Sequence, residues 1–332
     1  MVNIALVGAG GRSNAHIPAL KSIENARMIA VVDPHAEAAQ RAAKALDCPQ
    51  IYASVEDLLS KESPDAVFTV VPYYLHLQVT RPLIEANIPF FIEKPIATSL
   101  SDAAKIAQAV AEKGLLTAVG YQWRYEESVD AVKEKLSEST AAQFIARYFW
   151  GRPVTAWAMD RKYSGGQLLA QVTHLHDIAR YLLGDVAEVY AKGAHLTRTE
   201  PDFHNWDNWT SIFHFESGAL GTFYCTYSLF RPFPNPAEIT VIARERLYSI
   251  ASSHLEEYLP GSVDKREFQD QPVHKMDAAF VKAVQTGDRS LVRSTVEDAY
   301  KSAMMSYASI LSNETGQPVR LKNGIPVSAD KR

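Results

Sequence analysis

The chain has 332 residues, 47 % of them hydrophobic and 22 % charged, with a net charge of −4. That length points to two domains of ordinary globular composition and excludes a chain disordered throughout. No half of it is strongly basic, so nothing points to a nucleic-acid partner. Cys48 and Cys225 lie too far apart for a CxxC motif and read as buried thiols of a reducing compartment, and no metal site is expected.

Met1-Val2-Asn3 leads at once into Ile4-Ala5-Leu6-Val7, with no charged and apolar leader before it. No apolar run reaches the roughly 18–20 residues of a membrane helix. The expectation is a cytoplasmic protein with no signal peptide and no membrane partner. Over the first 120 residues, short apolar runs at 3–7, 28–32, 66–71, 90–92 and 116–120 alternate with helical patterns at 36–46, 54–59, 76–87 and 102–113. That alternation predicts right-handed βαβ crossovers and a parallel sheet covered on both faces. After about residue 125 the texture changes. Long aromatic and β-branched runs at 143–150, 188–196, 209–215 and 219–229 read as antiparallel strands. Helical patterns follow at 174–183, 277–286 and 296–311, and residues 327–332 read as a loose tail. The predicted fold class is α/β. Residues 1–122 form an N-terminal Rossmann doubly wound parallel sheet. Residues 123–332 form a C-terminal α+β domain on a large, mostly antiparallel sheet.

Gly8-Ala9-Gly10-Gly11-Arg12-Ser13 follows the first strand and precedes a helix. Gly8 permits the tight turn, and Gly10 and Gly11 let a pyrophosphate approach the backbone at the helix N-terminus. Ser13 is small enough to stand in for the third glycine of GxGxxG. Asp33 ends the second strand, where an acid accepts hydrogen bonds from the adenosine ribose and opposes a 2′-phosphate by about 1–4 kcal/mol. NAD is therefore expected over NADP. Asp33 also serves equally well as a helix cap, and Arg12 keeps NADP open as a phosphate contact. Pro72 and His76 follow the run at 66–71, and Glu93 and Lys94 follow the run at 90–92. All four fall at carboxyl ends of strands, where cofactors bind in open parallel sheets.

Val71-Pro72-Tyr73-Tyr74-Leu75-His76, Phe91-Ile92-Glu93-Lys94-Pro95 and the stretch from Gly165-Gly166 through His174 and Asp177 to Gly184 carry a resemblance. Together with Phe280-Val281-Lys282-Ala283-Val284 and Gly287-Asp288, they make the chain similar over essentially its whole length to the glucose–fructose oxidoreductase/inositol dehydrogenase (Gfo/Idh/MocA) family. The resemblance implies that Lys94 lies near the nicotinamide and the reacting carbon, and that Glu93 holds the nicotinamide side of the cofactor. It implies a cis Lys94–Pro95 bond, His174 as the proton-transfer residue and Asp177 beside it on the same helix. It also implies a homodimer or homotetramer built on the outer face of the second sheet. Read alone, Lys94 is a solvated strand-end lysine and His174 a core histidine, and the flanking motifs shift both readings. His176, two positions on, faces elsewhere and reads as structural. One position departs from the family pattern: Ala170 stands where relatives carry a carboxylate four residues before the histidine.

All five tryptophans lie between residues 123 and 209. Sugar rings stack their apolar faces on aromatics, although most such rings only pack a sheet. Tyr121, Trp123, Arg124, Trp157 and Arg161, with Asp177, are the expected substrate contacts. The reading is an NAD-dependent oxidoreductase acting on a secondary alcohol of a sugar, sugar derivative or inositol. Two alternatives stand beside it. One is NAD-dependent, redox-assisted glycoside cleavage or elimination without net NADH. The other is a catalytically impaired NAD- or sugar-binding protein, which Ala170 keeps open.

Overall fold

The computed structural model describes residues 1–251 and 254–327. Residues 328–332 of the expected tail lie outside the described residues. The chain divides into two units, Met1–Tyr125 with Gln271–Tyr300, and Glu126–Asp270 with Lys301–Arg332.

The first unit opens with β1 (Val2–Val7), α1 (Ser13–Ser22), β2 (Ala26–Val32), α2 (Ala36–Ala45), β3 (Gln50–Tyr52), α3 (Val55–Lys61) and β4 (Ala66–Thr69). It continues through α4 (His76–Glu85), β5 (Phe90–Ile92), α5 (Leu100–Lys113) and β6 (Thr117–Val119). The six strands are parallel, in the order β3-β2-β1-β4-β5-β6. This is the doubly wound Rossmann order, with its switch point between β1 and β4. β4 and β5 are buried at every residue, as a sheet with helices on both faces requires. Ser54 and Ser99 cap α3 and α5 by accepting the amides of Asp57 and Asp102.

The second unit begins with α6 (Glu127–Leu136), β7 (Ala141–Gly151), α7 (Ala156–Met159), α8 (Arg161–Ser164) and α9 (Thr173–Leu183). Then come β8 (Val186–Ala194), β9 (Asn208–Phe215), β10 (Leu220–Leu229), β11 (Ala237–Ala243), β12 (Arg246–Ala251), β13 (His254–Leu259) and β14 (Ser262–Glu267). The chain closes with α10 (Pro272–Thr286), α11 (Val296–Thr315), β15 (Val319–Lys322) and β16 (Ile325–Pro326). The second sheet has ten strands, β14-β13-β12-β11-β7-β10-β9-β8-β15-β16, all antiparallel but for the pair β7 and β10. Along β9 and β10 buried and accessible residues alternate, so one face is covered and the other is not. The covered face packs on α9 and α11. The ring of His176 packs against those of Phe213 and Phe223, 5.2 and 5.1 Å away, and burial pushes its pKa down to about 3. It is a neutral core histidine bonded to Ser306, in line with its structural reading.

Two of the larger differences from the sequence expectation lie in the later half of the chain. The strands β11 to β14 form a meander that the periodicity did not announce. Residues 271–300 were expected in the second domain but pack with the first unit. The apolar face of α10 explains the return: Met276, Phe280 and Val281 complete the core, with Phe280 edge-on to Phe68 at 5.4 Å.

Candidate active site

The β1–α1 turn is built around Gly8. Its φ is +97°, and a Cβ there would stand 2.2 Å from the carbonyl oxygen of Val70 on the chain leaving β4. Only glycine lets the two strands lie this close at the switch point. Gly10 and Gly11 are exposed, and a Cβ on either would meet nothing within 4 Å, so their backbone is open to a ligand. The hydroxyl of Ser13 donates to the carbonyl of Gly10 at 2.6 Å and closes the turn onto α1. The N-terminus of this ten-residue helix, the positive end of its dipole, suits a pyrophosphate.

Both carboxylate oxygens of Asp33 are engaged, though neither bond is the N-cap bond of α2. One carboxylate oxygen accepts the amide of Ala9 at 2.8 Å, bracing the glycine turn, and the other accepts that of His35 at 2.8 Å at the start of α2. A carboxylate has about four acceptor positions, so ribose hydroxyls find room. Arg12 points elsewhere. Its Nε donates to Glu93 at 2.8 Å and its guanidinium also donates to Gln122 at 2.6 Å, which takes it away from the role of a 2′-phosphate contact.

Lys94 follows β5 in the turn with the cis Lys94–Pro95 bond, largely buried, its ammonium 5.9 Å from the centre of the Tyr73 ring. Burial pushes its pKa down to about 8, against the pull of Glu93 and with a smaller push from Arg12. Glu93 is enclosed. Its Oε1 accepts from Arg12 and from His16 Nε2 at 3.0 Å, and its Oε2 accepts the Lys94 amide at 3.1 Å. The other ring nitrogen of His16 lies 2.9 Å from Asp277 on α10. Burial opposes the Glu93 charge, but Arg12, His16 and Lys94 outweigh it and hold the carboxyl far below the usual range. A Cβ on Gly120 would stand 2.9 Å from the Glu93 carboxyl carbon.

In the second unit, Gly165 and Gly166 turn the chain at φ +72° and +78° into a π-helical turn, Leu168–Val172, which runs straight into α9. Such turns recur at functional sites because they offset a helix face. Buried Gln167 ties this turn to the sheet, donating to the carbonyl of Thr226 at 2.9 Å. Ala170 sits inside the π turn and His174 at the second position of α9, largely buried. Asp177 is buried and accepts the hydroxyl of Ser302 on α11 at 2.7 Å. Trp157 on α7 is half-buried, and exposed Arg161 lies 4.0 Å over the ring of Trp206.

Residues 2–121 match the model of an oxidoreductase family with an NAD-binding Rossmann fold, and residues 138–243 match the C-terminal domain of the same family. The chain belongs to the Gfo/Idh/MocA oxidoreductase family. Its first unit is thus an NAD-binding Rossmann domain, and the glycine turn and Asp33 fit that cofactor. A 2,7-anhydro-N-acetylneuraminate hydratase from Mediterraneibacter gnavus is 30 % identical over 195 residues, 56 % of this chain and 50 % of that protein. The chain therefore matches about half the length of that relative. A myo-inositol 2-dehydrogenase from Thermotoga maritima is 24 % identical over 98 % of this chain and all of its own length. The solved structure of a levoglucosan dehydrogenase in complex with NADH superposes with a TM-score of 0.86 at 18 % identity, covering 97 % of this chain and 99 % of that one. At that identity the likeness shows the fold.

Several residues that the Gfo/Idh/MocA resemblance or the sequence marked for ligands are turned to internal work. Glu93, expected against the nicotinamide, spends its carboxylate on Arg12, His16 and the Lys94 amide. His76 is fully buried, its ring nitrogens 3.0–3.2 Å from the carbonyls of Pro95, Ile96 and Val71; it braces the turns at Pro72 and Lys94. Tyr121 is completely enclosed. Arg124 is 3 % exposed, with its guanidinium on the carbonyl of Arg293 and the carboxylate of Asp298. The cause is the return segment 271–300, which covers the turn after β6. Trp123 stays half-buried. His16 and Asp277 were missed altogether. An acid on the apolar face of α10 was the available signal, because a buried carboxylate requires a partner. Among the described residues, no helix is long and apolar enough to cross a membrane.

Proposed function

We propose that the protein oxidises a secondary alcohol of a sugar, sugar derivative or inositol with NAD. The observation that carries this reading is Lys94. It is a buried amine at the carboxyl edge of the parallel sheet, in the Glu-Lys-Pro turn, with a pKa near 8. Near neutral pH it can therefore be either ammonium or amine. When bound, NAD supplies the acceptor for a hydride from the carbinol carbon. The glycine turn, Ser13 and Asp33 hold the dinucleotide. The Lys94 ammonium steadies the alkoxide that forms as the hydroxyl proton leaves. His174 takes that proton. Trp123, Trp157 and Arg161 are the proposed sugar contacts, and the cytoplasm is the proposed setting.

A second reading is favoured by one relative being named a hydratase: the NADH formed is consumed again on the enzyme, after a neighbouring group has left. A screen of the purified protein against sugars and inositols, with NAD and NADP, separates the readings by absorbance at the reduced cofactor. Accumulating NADH supports the dehydrogenase; product without NADH supports the second reading; NAD binding without turnover of any sugar or polyol leaves a binding protein. Ala170→Asp belongs in the same assay. Positions 170 and 174 lie close to one face, so a carboxylate there sits near the imidazole or reaches the same hydroxyl. We expect kcat to rise while NAD affinity stays unchanged. A fall would mean that the site is built around alanine.

We also propose a homodimer or homotetramer. The uncovered face of the second sheet presents Tyr190, Ile212, Leu220 and Tyr224 across adjacent strands. Tyr190 and Ile212 lie directly opposite, with Leu220 and Tyr224 diagonal to Ile212 among His214, Thr210 and Thr222, and exposed apolar side chains grouped in this way mark an interaction surface. Sedimentation should give a multiple of 36.8 kDa, and Ile212→Lys should lower it. A monomeric wild-type protein would dismiss the proposal.

A further inference from the structure

The cluster beneath the Lys94 turn contains more than the turn itself requires. Both nitrogens of His16 meet carboxylates: Nδ1 lies 2.9 and 3.2 Å from the two oxygens of Asp277, and Nε2 lies 3.0 Å from Glu93. An ionised carboxylate only accepts hydrogen bonds, so two good contacts need a proton on each nitrogen, which is the imidazolium. The ring is fully enclosed, packed edge-on to Phe91 at 5.3 Å and near Phe68. The pocket sets Arg12, His16 and the neighbouring Lys94 against Glu93 and Asp277. Glu93 is held from every side: by Arg12 from the glycine turn, His16 from α1, the Lys94 amide from its own turn, and a neighbour, Gly120, that has no Cβ to occupy its place.

We infer that Asp277 and His16 form a buried positioning relay, in which a doubly bonded imidazolium fixes the Glu93 carboxylate and thereby seats the turn carrying Lys94. The relay ties α10, whose Asp277 is 261 residues from His16 in the chain, to the two turns expected to meet the cofactor. The electrostatics of the ring agree with this geometry, while burial pushes the Asp277 carboxyl above its usual range against the pull of His16. Burial works against a charged ring, but Asp277 and Glu93 outweigh it and raise the His16 pKa to about 9. The groups facing the relay are Arg12, Glu93, Lys94 and Asp277. His16 and Asp277 act through Glu93 and not on a reacting atom, so their part is positioning and not catalysis. The functional value of the relay rests on the reading of Lys94 given above, whereas its existence does not.

The test uses the whole protein without cofactor. Nitrogen-15 NMR of the wild type at pH 8 should show His16 protonated on both nitrogens. Asp277→Asn, which keeps size and polarity, should move the His16 titration down by at least one pH unit. The Lys94 amine, followed by competitive labelling with acetic anhydride across pH, should titrate near 8 in the wild type. In His16→Gln it should titrate at least half a unit higher, because Glu93 and Asp277 then lose a compensating cation. Added NAD should bind His16→Gln less than threefold more weakly. A neutral His16 at pH 8 in the wild type overturns the relay with no variant needed. An unchanged Lys94 titration in folded His16→Gln overturns its hold on the turn. Should Lys94→Ala keep full turnover while these titrations come out as expected, the relay stands and the catalytic reading of Lys94 falls.

Discussion

Lys94→Ala is expected to lower kcat by roughly 10²–10⁴, the range for losing a proton-transfer or charge-stabilising group, with NAD affinity little changed. Stability should not confound the result. The folded-state pKa of Lys94 is depressed to about 8 from an ordinary 10.5, so burial disfavours its charged form. Between those values the unfolded chain binds the additional proton, and stability contributed at this site rises with pH. Below pH 8 the amine is protonated in both states, and the buried cation is a cost that alanine removes. Lys94→Arg divides the two roles, because arginine keeps the charge but does not deprotonate in proteins. If the arginine variant retains most of the rate, Lys94 acts through charge; if it falls as far as alanine, proton transfer is the larger part. Steady-state kinetics on the substrate found by the screen, with NAD titration alongside, decides the matter. Wild-type turnover in the alanine variant would leave a strand-end lysine with no catalytic role.

Gly8→Ala is expected to be the most damaging small substitution in the first unit. The new methyl would stand 2.2 Å from the Val70 carbonyl oxygen and 2.9 Å from a methyl of Val71, at φ +97°. Neither strand can easily yield, because the Val70 amide donates to Val7 at 2.7 Å and the Gly8 amide to Val32 at 2.8 Å. Overpacking and a disfavoured backbone each cost about 1–3 kcal/mol, so a loss of about 2–6 kcal/mol is expected. NAD affinity should fall at least tenfold as the turn moves. Gly10→Ala is the contrast. Its Cβ meets nothing within 4 Å and its φ is not positive, so the denaturation midpoint should hold while NAD binding weakens. Equal midpoints for Gly8→Ala and the wild type would show that the turn can relax.

The parts legible in the sequence were those written locally. The first strand, its glycine turn and the acid ending β2 occupy 32 consecutive residues and obey short-range rules. The Glu-Lys-Pro turn was legible as a motif, but the direction of the Glu93 side chain was not, since that is set by Arg12, His16 and Gly120 on other elements. β3 escaped notice because its three residues, Gln50, Ile51 and Tyr52, are exposed or half-buried and carry no apolar pattern. The burial of Arg124 depends on Arg293 and Asp298, more than 160 residues further on, and no periodicity in residues 121–125 contains that information. The helix around His174 was expected to be regular. The π turn before it comes from the paired glycines and from Gln167 bonding to the sheet, a tertiary cause.

The return of residues 271–300 to the first unit bears on the order in which the chain can be completed during synthesis. Met276, Phe280, Val281, Ala283 and Val292 belong to the same buried cluster as Ile4, Leu6, Phe68 and Phe91. Until these late residues leave the ribosome, the nascent parallel sheet lacks one wall of its core and His16 lacks one of its two carboxylates. Chains are generally expected to fold domain by domain from the N-terminus. Here the dinucleotide-binding half begins first and is finished only after the strands of the other sheet through β14 have been made. A fragment cut after the last parallel strand, the natural place to divide such a chain by sequence, would carry every glycine of the phosphate turn and still lack the residues that close the floor beneath Lys94.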